Sequence, residues 1–131
     1  MEELAAFDAP AFGASRLSVL ARHFAEYPER CLVARDQTGA LTGFLLARPN
    51  TLGPWHATNQ EDAEKLLQMA LAVPASTFIR ISIPAQNTAA LSLLTRYGSV
   101  VQDTLAHMRW GKPLERDLEG RLYGMASLML G

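Results

Sequence analysis

Cysteine is almost missing: Cys31 stands alone in 131 residues, so the chain has no internal disulfide and no Cys-x-x-Cys metal or redox pair. Set in the apolar run Cys31-Leu32-Val33-Ala34, it reads as a small buried hydrophobe. An excess of either charge is missing too. The 12 Lys and Arg face 13 Asp and Glu, a formal net charge of −1, which gives no broad field for nucleic acid or an anionic membrane. No apolar run approaches the ~20 residues that cross a bilayer. The acidic start Met1-Glu2-Glu3-Leu4 lacks the basic stretch of a secretory signal, and the cytoplasm is the expected compartment. His23, His56 and His107 have no paired spacing, so no zinc motif or other metal site is expected, and no G-x-S-x-G elbow supports a hydrolase triad. What the chain does have is 49% apolar residues with 19% charged, enough to bury a core. One domain over residues 1–131 is expected, with 112–131 as a C-terminal extension packing on the body or on a partner.

The pattern along the chain predicts alternating helices and strands. Residues 8–27 read as one helix, started by Asp8 ahead of Pro10, with Leu17, Leu20, Ala21 and Phe24 on its inner face and His23 on its polar side. Cys31 to Arg35 and Leu41 to Arg48 read as a hairpin around Asp36-Gln37-Thr38-Gly39. Leu52 to Ala57 extends it as a third strand, with Gly53-Pro54 marking a bulge or an edge. Residues 60–72 carry Ala63, Leu66, Leu67 and Ala70 at helical spacing, and Thr58 with Glu61 forms a capping box ahead of them. Phe78 to Ile83 alternates as a strand. A further helix starts at the N-cap Asn87, turns Ala90, Leu91, Leu94 and Tyr97 inward and ends at Gly98. Val100 to Trp110 is expected to be the last strand.

Asn87-x-x-Ala90-x-x-Leu93-Leu94 leading to Tyr97-Gly98, within this order of elements, resembles the GNAT superfamily of acyl-CoA N-acyltransferases. Phe12-Gly13-Ala14-x-Arg16, Gly43-Phe44-x-x-x-Arg48, Gly53-Pro54-x-x-Ala57 and Met108-x-x-Gly111 look like the C-terminal half of bacterial tandem-GNAT proteins. The resemblance implies an α/β, GNAT-like fold: a mixed, mostly antiparallel sheet flanked by helices. The usual first strand is expected to be absent, because nothing before Asp8 is long enough for one. It also implies acetyl-CoA as cofactor, held around Ala57, Thr58, Asn59, Ala63 and Asn87.

Three positions depart from that family. Its diphosphate loop, R/Q-x-x-G-x-G/A, uses backbone amides at a helix start, where the helix dipole attracts an anion. Here Thr58 and Glu61 replace the first two residues of that pattern, and only Ala63 fits. Glu61 and Asp62 set two carboxylates where the diphosphate would rest. The family's general-acid Tyr is replaced by Leu94, and its aromatic after Gly98 by Ser99.

An acyl transfer to an amine needs a route for the amine's proton, and His56, at the end of the third strand, is the candidate base. Its simpler reading is a partly exposed histidine at a strand end. Tyr97 is the substitute candidate acid, or else a packing residue before a helix-ending Gly. His107 lies on a strand face with Leu105 and Arg109. Two functions follow: a non-catalytic GNAT-like module for dimerisation or small-ligand binding, and an active N-acetyltransferase acting on a small-molecule or protein amine. A sheet lacking its first strand leaves an open edge, so a homodimer is the expected assembly, with the apolar tail from Leu122 to Leu130 as a contact.

Overall fold

The computed structural model describes residues 1–106, 108, 111 and 120–126. Three strands follow the expected hairpin pattern: β1 (Cys31–Arg35), β2 (Leu41–Arg48) and β3 (Thr51–Ala57), paired antiparallel in sequence order. The β1–β2 turn is held by the Asp36 carboxylate, which accepts from the backbone N–H of Thr38 and of Ala40. A helical crossover, α3 (Gln60–Ala72), then brings β4 (Arg80–Ile81) parallel to β3, as the strand-helix-strand rule requires. β5 (Leu122–Gly124) also pairs with β3, antiparallel and further along it. Among the described residues the result is a five-stranded mixed sheet of order β1-β2-β3-β4, with β5 beside the far end of β3.

Alternation along β2 and β3 sends neighbouring residues to opposite layers. Leu45, Ala47, Leu52, Trp55 and Ala57 pack under α3 and α4 (Thr88–Arg96), against Leu66, Leu67, Leu93, Leu94 and Tyr123. Phe44 and Leu46 pack on the other face, against Leu4, Ala5 and Leu20. Each fully buried leucine in these clusters contributes roughly 1.5–3 kcal/mol of gross burial energy. α4 begins at the expected cap, Asn87, whose Oδ1 accepts the Ala90 N–H at 3.0 Å. Its inner face carries Ala90, Leu93 and Leu94, while Leu91 and Tyr97 are exposed.

The expected helix over 8–27 is two helices, α1 (Glu2–Phe12) and α2 (Leu17–Glu26). Gly13 breaks them, with a left-handed φ of 90° that lets its N–H bond back to Ala9. α1 starts before Asp8 because Leu4, Ala5, Asp8 and Ala11 form a buried stripe, and Pro10 is carried inside the helix. In α2 the inner residues are Leu20 and His23, the latter bonded to the Ala47 carbonyl oxygen through Nε2 at 3.0 Å, while Leu17 and Phe24 face out. Burial lowers the His23 pKa below its usual value.

The strand from Phe78 shrinks to two residues, and residues 100–106 form no strand. β3 offers one free edge beyond β2: β4 takes it at Thr51 and Leu52, β5 at Trp55 and His56. β3 is therefore interior to the sheet, and the irregularity expected at Gly53-Pro54 is a bulge in β3: Gly53 and Pro54 lie between the pairs Trp55–Leu45 and Leu52–Ala47, where β2 has only Leu46. His107 and Trp110, and most of the tail beyond Gly124, lie outside the described residues.

Candidate functional site

The start of α3 is closed by its own side chains. Asn59, not Thr58, is the N-cap: its Oδ1 accepts the Asp62 N–H at 2.8 Å and its Nδ2 donates to Asp62 Oδ2 at 2.9 Å. The capping box expected at Thr58 and Glu61 is thus shifted by one residue, because Thr58 instead donates its N–H to the Thr42 carbonyl, continuing the β2–β3 ladder. Thr42 and Asn59 beside Asp62 hold its carboxyl below the usual carboxylate range, so it stays charged at the helix mouth. Glu61 turns to Lys65 at 2.6 Å. The side chains of Ala57 and Ala63 are buried in the core. The Asp62 carboxylate and the Asn59 side-chain amide thus lie at the positive end of the α3 dipole.

Asn87 lies apart in sequence, yet the fold ties it to Ala57 through one segment. The Asn87 Nδ2 donates to the Leu122 carbonyl at 2.8 Å, and the Ala57 N–H donates to the Arg121 carbonyl at 3.0 Å. Three residues on, the Met125 N–H donates to the Ser82 carbonyl at 2.7 Å, just past β4. Residues 121–125 therefore bridge β3 and the end of β4 through these backbone hydrogen bonds. Tyr123 is buried, its ring 5.1 Å from that of Trp55. Gly53 allows the close crossing: its φ is +131°, and a Cβ there would collide with the Met125 carbonyl.

On the opposite face of β3, His56 is 2% exposed and Asp8 0%. Arg16, which arrives from the α1–α2 connection, holds Asp8 in a two-pronged pair, Nε to Oδ2 at 2.8 Å and Nη2 to Oδ1 at 2.7 Å. His56 Nε2 approaches Asp8 Oδ1 at 3.4 Å without the alignment of a hydrogen bond. Burial pushes the imidazole down to about 4, with Asp8 opposing and Arg16 reinforcing that shift. The ring is neutral near pH 7 and stacks 5.1 Å from Phe44. The sequence reading placed His56 but missed Asp8 and Arg16 as its neighbours. The available signal was two opposite charges flanking a glycine break, one of them inside an apolar helical stripe.

Tyr97 is far from this chemistry. Its hydroxyl donates to Glu64 Oε1 at 2.8 Å and accepts from Gln68 Nε2 at 2.7 Å, pinning α4 to α3. Cys31 donates to the Tyr27 carbonyl, and burial pushes its thiol up to about 11. An open groove of about 540 Å³ runs between α3 and α4, edged by Gln60, Thr88, Ser92 and Arg96. Among the described residues no group of three His, Cys, Asp or Glu is placed to hold a metal ion, and no helix is long and apolar enough to cross a membrane.

Comparison with known proteins agrees with this architecture. The family described as "Acetyltransferase (GNAT) domain" matches residues 4–124. A crystal structure described as "A Putative Acetyltransferase" from Pyrococcus horikoshii superimposes with a TM-score of 0.82 at 25% sequence identity. That match covers 100% of the present chain and 43% of the Pyrococcus chain. No curated protein gives a match.

Proposed function

The chain belongs to the acetyltransferase (GNAT) domain family, and on that premise we propose that it is a non-catalytic member, a module for self-association or small-ligand binding. The observation that carries this reading is the segment 121–125. It is hydrogen-bonded to Ala57, Asn87 and Ser82 and anchored by the buried Tyr123, so Ala57 and Asn87, two of the residues at which the resemblance places the cofactor, are already engaged by the chain itself. The self-capped start of α3 supports the same reading, because the charged Asp62 carboxylate repels a diphosphate at that helix mouth. Leu94, buried in the core, carries no transferable proton.

The match to less than half of the Pyrococcus chain accords with one half of a two-half architecture. The outer edge of β1, which ends the strand order among the described residues, is a suitable seam for a second copy of the chain. Titration with acetyl-CoA, followed by thermal unfolding, tests the non-catalytic reading. No rise in melting temperature up to millimolar ligand is the expected result; a saturable rise overturns it. Light scattering at micromolar concentration tests self-association, with twice the chain mass expected.

A second reading, an active N-acetyltransferase, rests on the groove edged by Gln60, Thr88, Ser92 and Arg96, whose polar and cationic lining suits a nucleotide phosphate. Its signature is release of free thiol from acetyl-CoA in the presence of an amine.

A further inference from the structure

Among the described residues β1 pairs with β2 alone, so the backbone groups along its other side have no ladder partner. Sheet edges are normally blunted by a proline, an inward-pointing charge or a bulge in the edge strand itself. Cys31 to Ala34 carry none of these. The register with β2 does slip between Ala34 and Arg35, but the extra residue there is Thr42 of β2, and β1 stays regular. Arg35 is the one charged residue of the strand, and two hydrogen bonds of 2.7 Å draw its guanidinium off to Glu3.

The two faces of β1 differ. Leu32 and Ala34 pack toward α3 with the core. Val33 stands opposite Phe44, on the face that α1 covers; Phe44 is fully buried there, whereas Val33 is 47% exposed. A β-branched residue left open at the middle of a regular edge strand suits the addition of another strand.

The strand is complementary to itself. Two copies of one antiparallel strand pair about a two-fold axis, and the register that matches all five residues sets Val33 against Val33 of the second copy. Leu32 then meets Ala34, Cys31 meets Arg35 and, one step beyond the strand, Arg30 meets Asp36, each twice by symmetry. No like charges are opposed, and opposite charges close both ends of the seam. Asp36 keeps an oxygen for that contact, since its bonds to Thr38 and Ala40 all fall on Oδ1. Sliding the axis to Leu32 or to Ala34 leaves two strand residues of each copy overhanging.

We propose that the outer edge of β1 binds β1 of a second copy of this chain, antiparallel and centred on Val33, joining two sheets into one. The proposal rests on the self-association reading above and adds to it the register and the facing residues.

The test uses the full chain. With Cys31→Ser removing the native thiol, Val33→Cys places a single sulfur on each side of the axis, where opposed Cβ atoms lie about 4.5–5.5 Å apart. Mild oxidation or a short bis-maleimide at micromolar concentration is expected to carry most of the chain to twice its mass on a denaturing, non-reducing gel. Cys31→Ser with Leu91→Cys, an exposed position on α4, is expected to stay at single mass. Val33→Lys sets two ammonium groups face to face at the axis, and should raise the dimer dissociation constant at least about tenfold with an unchanged far-UV circular dichroism spectrum. Should that variant fail to fold, the cross-link decides alone. A parent dimer without the Val33→Cys bridge, a bridge that forms only when Cys31 is retained, or a folded Val33→Lys chain that dimerises as tightly as the parent would each overturn this seam while leaving self-association standing. A parent chain that is monomeric at about 100 μM overturns both. Saturable binding of acetyl-CoA by the bridged dimer would sink the non-catalytic reading alone.

Discussion

Asn87 serves two partners at once: Oδ1 accepts the Ala90 N–H at 3.0 Å and Nδ2 donates to the Leu122 carbonyl at 2.8 Å, so one side chain starts α4 and clasps β5. The two roles are separable. Asn87→Ala loses both and is expected to cost about 2 kcal/mol, roughly one for the cap and one for the abandoned carbonyl. Asn87→Ser keeps a capping oxygen but cannot reach Leu122, and should cost about half as much. Urea unfolding midpoints measure both.

Asp8 and Arg16 form a buried ion pair, and removing one member leaves the other charge stranded. Arg16→Met or Asp8→Leu alone is expected to destabilise by about 3–5 kcal/mol, whereas the double substitution should recover most of that loss. Equal, additive losses in thermal unfolding would mean that the pair is not coupled.

His56 imposes a pH dependence with a defined sign. Its folded pKa, about 4, lies below the unfolded value near 6.5, so the unfolded chain binds the proton first as pH falls. Stability is therefore complete above pH 6.5 and is lost as pH drops toward 4, by about 3 kcal/mol from this group. His23, also shifted downward by burial, adds in the same direction. The carboxylates shifted downward, Asp36 and Asp62 among them, act in a lower window, losing their contribution as pH falls through their depressed folded values. Denaturant unfolding at pH 7, 5.5 and 4.5 should show the decline, and His56→Gln should flatten it.

Gly53→Ala is expected to strike the strand crossing. The added methyl meets the Met125 carbonyl at a backbone φ of +131°, so strain and collision act together. A folded variant should show rapid hydrogen exchange at the Met125 amide, which donates to Ser82 in the parent. Unchanged protection would show that the crossing is looser than described.

Where partners are close in sequence, the fold was legible. The hairpin strands, α3 and the Asn87 cap follow from local alternation, helical spacing and side-chain capping, and each lies where those signals place it. Distant pairing was not legible. The leucine-tyrosine-glycine segment of β5 meets β3 across more than 60 residues, and nothing local in Leu122-Tyr123-Gly124 announces that match. The alternation in residues 100–106 signals a strand, but it takes no place in the sheet. Nor was the first helix break read correctly: Pro10 and Asp8 carry strong start signals, yet burial of Leu4 and Ala5 extends α1 ahead of them. At the candidate site, His56 was visible as a titratable residue at a strand end. Its neighbours were not, because Asp8 and Arg16 reach it only once α1 folds back over the sheet.

The tilted, closely packed rings of Trp55 and Tyr123 give the molecule an optical gauge of how β5 docks on β3. Light absorbed by the tyrosine passes efficiently to an indole held so near, and that transfer fades if the strand swings away. Emission can thus report detachment of a three-residue strand in real time, without any label attached.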